Sequence, residues 1–122
     1  MRTTPDAINI MDKYLDELDF NIFEFRAACN GDELLTLMAH LFEKHSLLDS
    51  LGIETDVFNR FILRIQTGYP NNPYHNSTHA ADVVQTTNYL IVKGNFIERA
   101  ELSNLELAAM YLASAVHDYE HP

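Results

Sequence analysis

The chain has 122 residues, of which 47% are hydrophobic, so it can form one packed domain or part of one. Its net charge of −10 at pH 7 disfavours nucleic acid and anionic membrane surfaces as partners, because both are bound through Lys and Arg. The single Cys29 excludes an internal disulfide, residues 1–6 show no signal peptide, and no apolar run approaches the roughly 20 residues of a membrane span. We therefore expect a cytoplasmic protein.

The first half of the chain shows three segments with apolar residues at helical spacing. They predict a helix over residues 5–18, a second that begins near Asp32, and a third that begins at Glu54 or Thr55. Between the first two, residues 20–25 alternate partly with a period of two. We expect a Phe-rich connection there, because no second strand candidate exists to pair with a strand.

The second half predicts two further helices. One begins at about Ser77, with Ser77 or Thr78 as its cap, and ends at Gly94. The other begins at Ser103, because Ser103 and Glu106 have the spacing of a capping box. Its expected buried stripe comprises Leu105, Ala108, Ala109, Leu112, Ala113 and Val116. The chain as a whole predicts an all-α fold, a compact multi-helix bundle of about five helices without a sheet.

Two short stretches carry four of the six histidines. His75 and His79 lie four residues apart in the first stretch, and His117 and His121 lie four apart in the second, where Asp118 follows His117. One such pair arises easily by chance, but two pairs beside a carboxylate indicate a metal site, since imidazole and carboxylate suit Zn, Mn and Mg. Asp118 can also reach a second ion, and two metals about 3.5–4 Å apart are common in phosphoester cleavage.

Both stretches resemble the class I cyclic nucleotide phosphodiesterases. These enzymes carry a Tyr-His-Asn-x-x-His-Ala-x-Asp-Val stretch and, some forty residues later, His-Asp-x-x-His-Pro-Gly. Residues 74–83 and 117–122 match the two motifs, and Tyr119 and Glu120 favour the calmodulin-regulated subclass. The resemblance implies a His-Asp phosphodiesterase-like helical fold. It also implies that residues 1–122 are the N-terminal portion of the catalytic domain, truncated within a larger domain.

The resemblance assigns a role to each matched residue. His75 matches the histidine that protonates the leaving ribose oxygen, and Tyr74 matches a residue that lines the substrate pocket. The ligands of the tightly held ion, usually Zn, match His79, His117 and Asp118. Asp118 also matches the carboxylate that reaches the second ion, usually Mg or Mn. His121 matches a second-shell histidine near the metal-bound water.

The implied reaction is hydrolysis of cAMP, cGMP or both to 5′-nucleoside monophosphates by a hydroxide that two metals activate. The family's later Asp ligand and its purine clamp have no counterpart before Pro122, so we expect this polypeptide alone to be inactive or nearly so. Regulatory domains and calmodulin are candidate partners of the full-length protein. Two alternatives stay open: another metal phosphohydrolase of the broader His-Asp superfamily, and a non-catalytic regulatory fragment.

Overall fold

A computed structural model describes residues 3–70 and 76–119 of the chain, and within them it contains eight helices and no strand. The helices are α1 Pro5–Tyr14, α2 Ile22–Ala28, α3 Glu33–Lys44, α4 Leu47–Leu51, α5 Thr55–Gly68, α6 Ser77–Lys93, α7 Phe96–Arg99 and α8 Asn104–Val116. The predicted all-α fold is confirmed. Among the described helices, none combines the length and hydropathy that a membrane crossing requires.

Helix α3 lies at the centre of the bundle. It packs against α5 and α6 and also contacts α2, α4 and α8. Its buried apolar residues are Leu34, Leu35, Leu37, Met38, Leu41 and Phe42. Phe42 stacks on Phe58 of α5 with 4.5 Å between ring centroids, which joins the two helices. Full burial of one such side chain contributes about 1.5–3 kcal/mol, so this helix is the main source of apolar stabilisation.

Helices α6 and α8 pack against each other in opposite directions. Thr87 of α6 contacts Ser114 of α8, and Asn88 contacts Tyr111. Residue numbers therefore increase along α6 in the direction in which they decrease along α8, so the two helices are antiparallel. Small residues on the facing sides, which include Ala81 and Ala115, are fully buried. The first turn of α6 therefore lies beside the last turn of α8, and this brings the two histidine stretches together.

The expected connection at residues 20–25 is in fact the start of helix α2. The Asn21 side chain accepts hydrogen bonds from the backbone N–H groups of Phe23 and Glu24, which caps the helix. Phe25 is fully buried and lies 5.2 Å from the ring of Phe20, whereas Phe23 is 72% exposed. The local signal for this helix is Asn21, a favoured N-cap residue that the expected connection leaves out of account.

The buried face of α8 differs from the predicted stripe. The capping box at Ser103 is present as predicted, but Leu105 is 66% exposed and Val116 is 36% exposed. Of the predicted stripe only Ala108 is buried, and the helix also buries Leu107, Tyr111 and Ala115. Apolar residues lie on both sides of this helix, so periodicity alone could not select the face that packs.

Candidate metal centre

His79 enters the site from the first turn of α6. Asn76 is the N-cap residue, and its side-chain oxygen accepts a hydrogen bond from the backbone N–H of His79 at 2.8 Å. The predicted caps, Ser77 and Thr78, lie inside the helix instead. Because the cap bonds the residue that carries the imidazole, it fixes the backbone from which that side chain projects.

His117 enters from the opposite end of α8, where it is the C-cap residue. Its ring Nδ1 lies 2.8 Å from the backbone carbonyl of Ser114. A carbonyl can only accept, so Nδ1 carries the proton and Nε2 presents its lone pair on the other side of the ring. Ligand histidines in metal sites are commonly oriented by this kind of bond.

Three side chains converge between these two helix ends. The Asp118 carboxylate oxygen Oδ2 lies 2.9 Å from Nε2 of His117 and 3.6 Å from Nε2 of His79. The two imidazole rings lie 5.4 Å apart between centroids. One donor atom from each of the three residues can be chosen so that all lie within 4.8 Å of one another. Among the described residues this is the one group of His, Cys, Asp or Glu that meets that condition.

The spacing of these donors suits a small divalent cation. Zn binds nitrogen at about 2.0–2.1 Å and carboxylate oxygen at about 2.0–2.2 Å, so neighbouring ligands of a tetrahedral site lie about 3.3 Å apart. The measured separations of 2.9 and 3.6 Å bracket that value. The Asp118 side chain is 13% exposed, whereas those of His79 and His117 are 42% and 33% exposed, so the cluster is open to solvent on the histidine side.

Two tyrosines hold the last turn of α8 in place. The Tyr69 hydroxyl donates a 2.6 Å hydrogen bond to the carbonyl of Ala115, and burial raises the pKa of Tyr69, which keeps this donor protonated. The ring of Tyr119 meets that of Tyr69 edge to face at 5.6 Å. Both contacts lie within three residues of His117 and Asp118. They therefore fasten the turn that carries His117 and Asp118 to the end of α5.

The ring of Tyr119 lies where a side chain at position 68 would project, and this space is open because residue 68 is glycine. A Cβ atom at position 68 would lie 2.8–2.9 Å from two carbons of the Tyr119 ring and still closer to its hydroxyl. We expect Gly68→Ala to displace the ring and to lower the free energy of unfolding by about 1 kcal/mol, although Ala normally stabilises a helix by a similar amount relative to Gly. Thermal unfolding of the purified chain measures the change.

The matched control for this prediction is the Tyr119→Ala background. With the ring removed, Gly68→Ala should raise the melting temperature, because only the helix-propensity term is left. A stabilising effect of equal size in both backgrounds would show that Tyr119 does not need the space above Gly68.

A groove of about 630 Å³ lies elsewhere, between the end of α1 and α3. Its walls mix acidic and basic side chains with His40, and none of the three converging residues contributes to it. The groove therefore has no residue in common with the histidine–aspartate cluster.

Comparisons with known proteins agree with this geometry. The sequence profile of the 3′5′-cyclic nucleotide phosphodiesterase family matches residues 74–122. The chain is 38% identical over 109 residues to 3′,5′-cyclic-AMP phosphodiesterase 4 of Dictyostelium discoideum, and the match covers 87% of this chain and 10% of that protein. The family to which residues 74–122 are similar is thus that of the cyclic nucleotide phosphodiesterases.

Two further relatives extend the comparison. A dual specificity calcium/calmodulin-dependent 3′,5′-cyclic nucleotide phosphodiesterase 1B of Rattus norvegicus is 36% identical over 121 residues, which cover 98% of this chain and 22% of that protein. The solved structure of LmjPDEB1 in complex with IBMX superposes with a TM-score of 0.75 at 25% identity, over 99% of this chain and 38% of that one. The chain thus spans between a tenth and a quarter of the length of these two curated phosphodiesterases.

The structure brings together His79, His117 and Asp118, as a shared ion would require. The other three predicted site residues, Tyr74, His75 and His121, lie outside the described residues. Their roles, and the roles of the three that converge, stay predictions.

Several residues that support the cluster could not be identified from the sequence. Ser114 precedes His117 by three residues, a spacing that places its carbonyl within reach of the ring, and this was the one usable signal. Tyr69 is 46 residues from Ala115 in α8, and Gly68 is 51 residues from Tyr119, just beyond that helix. No local pattern connects positions so far apart in the chain.

Proposed function

We propose that residues 1–122 form the N-terminal portion of a cyclic nucleotide phosphodiesterase catalytic domain, and that the complete domain hydrolyses cAMP, cGMP or both to 5′-monophosphates. The convergence of His79, His117 and Asp118 within 4.8 Å is the observation that carries this proposal. These three residues come from two motifs that are far apart in sequence, which supports a shared role for them.

In this proposal the three residues are metal ligands. His79 and His117 offer Nε2, and Asp118 offers one carboxylate oxygen to the tight Zn position and the other to a second position for Mg or Mn. Divalent ions held there would neutralise the charge of the phosphate and activate water. The open histidine side of the cluster leaves room for an anionic phosphodiester to approach.

The remaining roles belong to residues next to the cluster in sequence. We assign proton donation to the leaving O3′ to His75, which precedes His79 by one helical turn in the sequence. We assign a wall of the substrate pocket to Tyr74, and support of the metal-bound water to His121. The fold supports these assignments indirectly, because all three flank the elements that meet at the cluster.

Control by calmodulin is a proposal about the whole protein. The calcium/calmodulin-dependent relatives include those of rat and Drosophila melanogaster, which are 36% and 33% identical to this chain. The Dictyostelium enzyme is described without calmodulin and is equally similar, at 38%. A calmodulin segment would lie outside the residues that match, so the test is calmodulin binding by the full-length protein.

The proposed activity is tested on a complete catalytic domain that contains this chain. We expect it to release the 5′-monophosphate from cAMP or cGMP, because cleavage at O3′ leaves the phosphate on O5′. A chelator should stop turnover, and Zn with Mg should restore it, while circular dichroism shows that the helices persist throughout. Turnover that survives full chelation, or release of the 3′-monophosphate, would contradict the proposal.

A further inference from the structure

A hydroxyl pair joins α6 to α8 close to the candidate metal centre. Ser114 Oγ lies 2.9 Å from the carbonyl of Met110 and donates its proton there. Thr87 Oγ1 lies 2.8 Å from Ser114 Oγ and is therefore the donor of that second bond. The carbonyl of the same Ser114 accepts the bond from His117. Ser114 thus accepts a hydrogen bond from Thr87 of α6 through its hydroxyl and one from His117 through its carbonyl.

A buried amide–phenol pair joins the same helices nearly one turn away. The Tyr111 hydroxyl donates to the side-chain oxygen of Asn88 at 2.9 Å, and both residues are 0% exposed. Burial, with Asp16 nearby, raises the pKa of Tyr111, so the donor stays protonated. The Asn88 amide group in turn donates to the Asp16 carboxylate at 2.7 Å. Each polar group in this part of the core therefore has a directional partner.

The other buried residues of α6 and α8 are mostly apolar, and they include the small residues Ala80, Ala81, Ala108 and Ala115. Burial of such residues is not directional, so it constrains small axial shifts between the helices less sharply than hydrogen bonds do. Metal ligands tolerate displacements of only about 0.2 Å, whereas one residue of helical rise is about 1.5 Å. The directional bonds are therefore what can fix the helices closely enough for a metal site.

We propose that Thr87 and Asn88 are positioning residues that set the axial register of α6 against α8, and through it the separation of His79 and His117. The proposal rests on the proposed function, because it takes the cluster of His79, His117 and Asp118 to bind a divalent cation. Neither Thr87 nor Asn88 contacts that cluster; they act through the helices that carry it.

The experiment titrates Co²⁺ into the purified chain and follows its d–d absorption, which reports both affinity and ligand geometry. Thr87→Val keeps the shape of the side chain and removes the donor, so Co²⁺ affinity should fall about 3–10-fold, less than the ~10–100-fold seen for direct partners of ligands. The d–d band should change as well. Thr87→Ser, which keeps a hydroxyl, should restore both. Thr67→Val is the matched control, because the Thr67 hydroxyl bonds only within α5, to Leu63.

A second pair of variants tests whether weaker Co²⁺ binding comes from a change in the axial register of α6 and α8 or from a general loss of stability. Gln85 and Asn88 are both buried amides on α6 that bond the carbonyl of Leu15, but only Asn88 also bonds α8. Asn88→Leu should weaken Co²⁺ binding more than Gln85→Leu at equal loss of melting temperature. If Thr87→Val leaves affinity and spectrum unchanged, or both Leu variants weaken binding equally, the inference is wrong. If the unmodified chain binds no Co²⁺, the proposed metal site fails first, and this inference fails with it.

Discussion

Replacing either His79 or His117 by Ala should lower the affinity of the chain for Zn²⁺ by at least about 100-fold. Each variant removes one of three donors from the cluster, and a direct ligand contributes more than the ~10–100-fold that its hydrogen-bond partners contribute. Asp118→Asn should have a comparable effect, because it removes the charge that lies 2.9 Å from His117 and 3.6 Å from His79. Competition with a chromophoric Zn²⁺ chelator measures the affinity.

His40 provides the matched control for this prediction. Burial lowers the pKa of His40, so its imidazole is neutral at pH 7. A neutral imidazole has the free lone pair that Zn²⁺ binding requires. It belongs to no three-donor group in the described part of the chain. His40→Ala should therefore leave Zn²⁺ affinity unchanged. Equal losses for His40→Ala and His79→Ala would mean that Zn²⁺ binds by scattered surface contacts and that the cluster is not a site.

The helices that the sequence predicted best are those with one clear apolar face and a recognisable start or stop. α3 buries six apolar residues at helical spacing, and α6 ends at the C-cap residue Gly94, as predicted. The capping box at Ser103 fixed the start of α8 to the residue. In each case a local signal, a side-chain cap or a periodic stripe, is enough to define the element.

The predictions failed where tertiary contacts override the local pattern. The first helix was expected to continue to residue 18 but ends at Tyr14. Beyond it, the carbonyls of Leu15 and Glu17 accept hydrogen bonds from Gln85, about 70 residues away in the chain. Leu18, which fitted the helical stripe, is 74% exposed as a result. No pattern near residue 15 indicates that its carbonyl partner lies on α6.

The candidate metal centre likewise has features that the sequence predicts and features that depend on tertiary contacts. The donors themselves were found from spacing, since His79, His117 and Asp118 belong to compact motifs. The bonds around them were not predicted, because Ser114 contacts His117 through its backbone carbonyl and Thr87 contacts Ser114 from another helix. Residue type identifies which atoms can bind a metal, whereas only the packing of α6 on α8 places those atoms together.

In a complete catalytic domain that contains this chain, His75→Ala should lower kcat for cyclic nucleotides by about 10²–10⁴-fold while bound Zn is retained. The leaving O3′ is an alkoxide of high basicity and needs a proton as the bond to phosphorus breaks. An imidazole titrates near neutrality and is suited to supply that proton. Metal analysis of the purified variant and steady-state kinetics measure the two quantities.

A substrate with an activated leaving group tests the assignment of proton donation to His75 itself. The p-nitrophenolate that leaves bis(p-nitrophenyl) phosphate is stable without a proton, so His75→Ala should slow its release far less than it slows cleavage of cAMP. His79→Ala should slow both reactions alike, because the proposed metal ions would bind the phosphate group of either substrate. Equal losses for the two substrates in the His75 variant, or loss of Zn from it, would assign His75 to metal binding or to structure. The difference between the substrates thus separates a proton donor from a ligand, which a loss of activity alone does not.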